Sequence, residues 1–371
     1  MSAPITIRPD ETFTLNVGPQ HPATHGVLRV KMEMDGEYIV NAETVIGYIH
    51  RMHEKMGELK TYPQFLMNLS RMDYLGALGY SHGHVLLIEK AAGIEVPERA
   101  EYIRAITVEL NRIASHLFWF GAFVMDLGGF SPLMYALQDR EYILDMLEAI
   151  TGSRLTYSYY RFGGLYNDVD DDFIDAARRF IPRMRASLKK YHRLVTGNII
   201  FMKRLEGIAP LTPEIIRKYG ATSAVARGSG INFDVRKNEP YSVYPEFDFD
   251  VPVYHECDSL ARYMVRMAEM EQSLRIIEQG LDKLPGGPIM PEKKKPIKIA
   301  PGDYYQAVET ARGSFGIRLV SDGGKTPYRL KLRSPTYSNM HLFDESCRGM
   351  LIMDALAFMG SLDLVIPEID R

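Results

Sequence analysis

The 371-residue chain holds only two cysteines, Cys257 and Cys347, 90 positions apart and with no CxxC pair. That usage fits a reducing compartment and leaves too few thiolates to hold an iron-sulfur cluster, so any such centre is expected on another subunit. An excess of one charge is missing too: the formal net charge is -3, which gives no general attraction for nucleic acid or an anionic membrane. No apolar run reaches the roughly 20 residues of a membrane-spanning helix. The nearest candidates, HLFWFGAFVMDLGGF and MLIMDALAFMGSLDLVI, are short or cut by Asp126, Asp354 and Asp363. The opening MSAPITIRPDE has no basic segment followed by an apolar one, so a secretory signal is not expected. The chain is expected to stay where it is made, dissolved or held to a membrane through partners. GxxxxGK[ST], HExxH and GxSxG are absent, and neither RFGG nor PGG has a strand-to-helix setting, so nucleotide binding and hydrolysis lose support.

What is present is an ordinary globular composition, 46% hydrophobic and 25% charged. Strict alternation in TFTLNV (12 to 17) and around Asp35-Gly36 (28 to 40) predicts a small antiparallel sheet. From about residue 50 the period changes. Ile103, Ile106, Leu110, Ile113, Leu117 and Phe120 step by three and four behind Pro97, the pattern of one packed helix face. Further helices are expected at 61 to 92, 132 to 151, 172 to 204 and 258 to 281. LPGGPIMPEKKKPIKIAPG reads as a surface connector, followed by strand-like GIRLVS and PYRLKLRS and a last helix near 344 to 360. The fold class is α+β: an N-terminal antiparallel part (1–50), a core of long helices (51–283), and a connector with a mixed C-terminal part (284–371) packing on it.

Several residues carry two readings each. His21 and His25, in GPQHPATHG between two strands, form either a plain turn or a stiff loop that offers an imidazole to a cleft. His50 with His53, and His82 with His84, have metal-ligand spacing but no third ligand nearby. Asp126, among Phe, Val and Met, is either a proton-relay carboxylate or a helix end terminated by Gly128 and Gly129. The basic residues from Arg178 to Arg193 are a docking face for an acidic partner or simply solvated. The charges Arg262, Arg266, Glu269, Arg275 and Glu278 on a helix that must also pack suggest a subunit interface.

Taken in order, GPQHPATHGVLR, IGYIHRMHEK, RMDYL, RAEYIRAITVELNRIASHL, DLGGFSP, GSGINFDVRK, YSVYPEFDFDVPV, RYMVRMAEMEQSLRIIEQ, VSDGGKTPYRLKLRSPTYSN and GSLDLVIPEIDR resemble one family, the quinone-site (49-kDa, or D) subunit of respiratory complex I. That family is similar to the large subunit of nickel-iron hydrogenases, with its small sheet and long central helices. Hydrogenases hold nickel with two cysteine pairs, which this chain lacks.

The resemblance implies a peripheral-arm subunit of a proton-translocating NADH:quinone oxidoreductase on the cytoplasmic face of the inner membrane, inactive alone, with quinone as substrate. It implies no metal bound by this chain. The terminal [4Fe-4S] cluster would lie in a small iron-sulfur partner, beside other hydrophilic-arm subunits and a membrane subunit lining the quinone channel. A deazaflavin- or ferredoxin-fed relative reducing a quinone or phenazine is the alternative. Carried over by position, the quinone-ligating histidine falls on His25, the ligating tyrosine on Tyr74, and the carboxylate paired with the histidine on Asp126. Arg51 matches the arginine beside the partner's cluster; an ion pair with Glu54 is its other reading. Thr156 stands where many members have a histidine, which would suit a low-potential acceptor such as menaquinone.

Overall fold

The structure is a computed structural model and describes residues 12–20, 26–292 and 296–371. It opens with three antiparallel strands, β1 (Phe13–Val17), β2 (Arg29–Asp35) and β3 (Tyr38–Val45), in that order across the sheet. Val17 lies opposite Val30 and Asp35 opposite Tyr38. The period of two turns Val30, Met32 and Met34 to the buried face. The tight turn is Gly36-Glu37, one residue later than expected, with Gly36 at a φ of 58°.

One helix was expected over 61 to 92; there are two. After α1 (His53–Leu59), α2 (Tyr62–Leu69) stops and α3 (Ala77–Ala92) begins only after a turn. The Asp73 carboxylate causes part of the break, because its Oδ1 accepts from the backbone N–H of Leu75 and Gly76 and so offers the chain an alternative to helical bonding.

The central helix α4 (Glu98–Asp126) starts after Pro97 with Glu98 and Glu101 in its first turn, where acidic groups complement the helix dipole. All six residues of its expected apolar face are buried. It runs past the foreseen end to Asp126, then turns at Gly128 and Gly129 into α5 (Phe130–Thr151). A two-residue ribbon, β4 (Tyr160–Arg161) with β5 (Gly164–Leu165), leads to α6 (Asp171–Tyr191). The helix expected to 204 is interrupted by a π-helical turn (His192–Thr196) and by Gly197-Asn198 before α7 (Ile199–Lys203). Three short helices follow, α8 (Pro213–Tyr219), α9 (Ala224–Arg227) and α10 (Val235–Asn238). Then α11 (Ser259–Asp282) starts behind Asp258, whose carboxylate accepts from Ala261 N–H.

The connector ends in a strand that local patterning does not announce. β6 (Gly302–Thr310) pairs with β7 (Gly313–Ser321), and β7 with β8 (Arg329–Arg333). Instead of one last helix there are α12 (Pro335–Ser346), α13 (Ile352–Leu362) and α14 (Ile366–Asp370); the first two part at Cys347, with Gly349 at a φ of 78°.

Three apolar clusters hold these elements. One fills the space among α4, α5, α6 and α11, one lies between the N-terminal sheet and α12 and α13, and one lies between the C-terminal sheet and α2 and α3. The lone tryptophan, Trp119 on α4, donates to the Gly360 carbonyl of α13 at 2.8 Å. On α6, Arg185 pairs with Glu271 and Glu278, and Arg183 lies over the Tyr142 ring, so part of the basic face is engaged within the chain.

The interface reading of α11 is overturned. Arg262, Arg266 and Glu269 are buried with partners in this same chain, Arg275 pairs with Asp248 and Asp250, and Glu278 pairs with Arg185. Arg262, Arg266 and Glu269 are bonded inside the fold, while Arg275 and Glu278 pair within the chain at its surface. Among the described residues, no helix is long and apolar enough to cross a membrane.

Candidate functional site

Tyr74 sits in the turn between α2 and α3, partly buried. Two residues of α4 and one hairpin tip hold that turn. Asn111 donates to the Leu75 carbonyl at 3.0 Å and accepts from Leu78 N–H at 3.2 Å. Asp73, next to Tyr74, takes a hydrogen bond from Arg312 through Oδ2 at 2.9 Å. Arg312 lies between β6 and β7 and also donates to Ser115 Oγ on α4 at 2.7 Å and to Asp363 Oδ1 at 3.3 Å. Burial pushes the Tyr74 phenol up from its ordinary value; Arg312 pulls the other way, while Asp73 and Asp363 add to the rise. The phenol therefore keeps its proton near neutral pH and is able to donate it.

The segment from Asp363 to Arg371 closes the region from the other side. Asp370 accepts from Gly47 N–H at 2.8 Å and Ile49 N–H at 2.9 Å, and its carbonyl lies 2.6 Å from His50 Nδ1, which fixes the proton on that nitrogen. Glu368 is bonded by Ser334 and Thr336. A Cβ built on Gly26 would lie 3.9 Å from Ile366, so the chain re-enters β2 against this same segment.

Arg51 does not pair with Glu54, whose carboxylate is taken by Arg329 and Lys331. It is exposed and donates to the Arg71 carbonyl at 2.6 Å, three residues before Tyr74. The structure thus brings Arg51 and the Tyr74 turn together. Asp126 ends α4, eleven residues beyond Ser115, which is roughly 16 Å along a helix axis at 1.5 Å per residue. His25 and His21 lie outside the described residues, as does the expected pairing of His25 with Asp126.

Behind the turn is a lattice of buried charge. Arg112, Arg227 and Arg236 face Glu109, Asp234, Glu269 and Glu309, all at most 2% exposed. Arg227 reaches Asp234 at 2.9 Å and Glu269 at 3.0 Å, Arg236 reaches Glu109 at 3.1 Å, and Arg112 donates to the Glu309 carbonyl at 2.7 Å. Three guanidiniums against four carboxylates leave one negative charge over, and an unbalanced buried charge is expensive. Burial and the neighbouring Asp234 accordingly push Glu309 up to about 7.

Of the two histidine pairs, His53, His82 and His84 turn inward, whereas His50 is exposed. Burial, with Arg51 close by, lowers His53 to about 4, and burial lowers His84 to about 4 although it bonds the Tyr62 carbonyl. Among the described residues, no three His, Cys, Asp or Glu side chains are placed to hold a metal ion. Asp73, Asn111, Ser115, Arg312 and Asp363 do not stand out in the sequence. Arg312 carries one signal, an arginine in the middle of an ETARGSF segment, but nothing local marks that segment as a hairpin tip.

A family model for the 49-kDa subunit of respiratory-chain NADH dehydrogenase matches residues 126–299 and 293–371. The D subunit of the NADH-quinone oxidoreductase of Desulfotalea psychrophila is 78% identical over 372 residues, covering all of both chains. A D-type subunit of the same enzyme from Opitutus terrae is 62% identical over 98% of this chain and 91% of its own length. The C/D subunit of Bacteroides fragilis NADH-quinone oxidoreductase is 48% identical over 98% of this chain and 68% of its own. With more than half of its length matched by the family model and relatives this similar along nearly all of it, the chain belongs to the 49-kDa subunit family of respiratory-chain NADH dehydrogenase.

Proposed function

We propose that the chain forms the quinone-reduction site of a proton-translocating NADH:quinone oxidoreductase, with Tyr74 and His25 as donors to the quinone oxygens. The observation that carries this reading is the convergence on Tyr74: a protonated phenol on a turn fixed by Asn111 and Asp73, with Arg51 bonded three residues upstream. Two-electron reduction builds negative charge on the quinone oxygens, and preorganised O–H and N–H donors stabilise that charge and deliver protons. The two protons end on the quinol, and the donors are recharged from solvent or neighbours. Asp126 answers the change of charge on His25.

Arg51 is exposed where a partner would cover it, and a fixed cation there favours the reduced state of a cluster held by that partner. Cys347 is buried with its thiol pushed up to about 12, and Cys257 is raised by burial, so neither of this chain's thiols suits a cluster of its own. The name of the Bacteroides fragilis relative joins C and D in one protein, which makes a C-type partner an expected neighbour. Membrane contact is then peripheral and made through other subunits. Thr156, at a position where the family often has histidine, fits a menaquinone-like acceptor.

The test is Tyr74→Phe and His25→Ala, each in the complex in native membranes. NADH-driven quinone reduction is expected to fall at least about tenfold, somewhat less than the usual worth of a positioned proton donor. Electron flow to an artificial acceptor upstream is expected to persist. Unchanged turnover with the native quinone sinks the assignment.

A further inference from the structure

We propose that Arg312 is a positioning residue for Tyr74, acting through Asp73 and the turn that Asp73 caps. The inference rests on the reading that the Tyr74 phenol meets the quinone.

A hairpin tip ordinarily points its charge into water, yet Arg312 is only 1% exposed. Gluing the hairpin to the core would need one carboxylate. Its fork is instead shared among three separate elements: Nη1 serves Asp73 in the turn and Ser115 on α4, while Nη2 serves Asp363 at the end of α13. The other oxygen of Asp73 takes Leu75 N–H at 3.1 Å and Gly76 N–H at 3.0 Å. Both carboxylate oxygens are thereby committed, and Tyr74 lies between the residue that Arg312 holds and the residues that Asp73 holds. A shift of the guanidinium is passed to the phenol.

The turn has little slack to absorb such a shift. Asn111 and Ser115 are four apart on α4 and so share a face. Asn111 fixes the far end of the turn directly, and Ser115 fixes the near end only by way of Arg312. A Cβ at Gly76 would fall 2.6 Å from Asp73 Oδ2 and 3.6 Å from Arg312 Nη1, so carboxylate, guanidinium and backbone are already in close contact. Lysine keeps the charge but lacks the planar fork, and an ammonium at this place reaches fewer of the three partners.

The experiment is a double-mutant cycle in the intact complex in native membranes, using Arg312→Lys, Tyr74→Phe and both together. Arg312→Lys is expected to raise the KM for quinone about tenfold, within the loss that a misplacement of about 1 Å permits. Upstream electron flow to an artificial acceptor stays unchanged, and on the Tyr74→Phe background the substitution adds nothing. An unchanged KM, or the same fold-loss multiplied onto Tyr74→Phe, overturns the inference. If Tyr74→Phe alone alters neither KM nor kcat, the reading of Tyr74 as a quinone donor fails, and the inference falls with it. If Arg312→Lys does not accumulate in the complex, Ser115→Ala, which removes one bond and keeps the guanidinium, decides the question by the same two criteria.

Discussion

Single residues in this chain work against the elements that carry them. Asp126 is a carboxylate at the C-terminal end of α4, where the helix dipole disfavours negative charge, so capping the helix is not its purpose. Asp126→Asn is accordingly expected to cut quinone turnover several-fold in membranes while the melting temperature of the complex shifts little; equal losses of both would remove it from the proton relay. Thr156 is strained in another way: it has a φ of 53°, a left-handed conformation that a β-branched residue rarely adopts and that histidine tolerates better. Thr156→His therefore asks nothing new of the backbone. If this segment faces the partner's cluster, the midpoint potential of that cluster gains a pH dependence between about pH 6 and 8, the range in which an ordinary imidazole titrates. A potential as flat with pH as that of the parent would place Thr156 away from the cluster.

At the scale of elements, the interval from Ser70 to Gly76 matters most. Asn111→Ala would leave the Leu75 carbonyl and the Leu78 N–H without their partner in a buried place, a cost of about 2 kcal/mol by the usual penalty for orphaned groups. Thermal unfolding should show that loss, and an unchanged midpoint would mean the turn does not depend on α4. The same interval shows what local sequence could and could not disclose. The alternation of Val30, Met32 and Met34 and the stepping of Ile103 through Phe120 are set by residues near one another, and both were legible. The break between α2 and α3 was not, because Asp73 accounts for only part of it and the rest depends on bonds from Asn111 and Arg312, which are remote in sequence. β6 was hidden for a related reason, since its neighbour strand lies beyond a charged tip whose arginine is buried rather than exposed. Tyr74 and Arg51 came from likeness to a family, and no periodicity would have singled them out, whereas Asp126 already stood out as a carboxylate among apolar residues.

At the scale of the whole molecule, the lattice of buried arginines and carboxylates joins α4, α9, α10, α11 and β6. Its surplus negative charge makes stability depend on pH. Glu309 has a folded value of about 7 against an ordinary value of 4.5, so the stability that its bound proton contributes is lost as pH rises from about 4.5 to 7 and is not regained above. Arg227 and its neighbours outweigh burial and hold Glu269 below the usual carboxylate range, so its contribution is lost only in acid. Glu309→Gln removes the first titration and leaves the second. The difference in melting temperature, variant minus parent, is expected to become more positive from pH 5 to pH 8. A difference constant over that range would place the extra proton elsewhere in the lattice.

The bonds from Asp370 to Gly47 and Ile49 span 323 and 321 positions, and Arg312 reaches back 239 to Asp73. Contacts so distant in sequence are the slowest to close, because the loop entropy must be met before any bond rewards it. During translation, residues 363–371 leave the ribosome after the long helices and both three-stranded sheets have been made. A nascent chain released short of Asp363 would have most of its apolar packing and yet lack the floor on which Gly47 to Arg51 and the hairpin tip come to rest. The loss would be felt at the exit of the first sheet and at the turn that carries Tyr74, hundreds of positions from the cut.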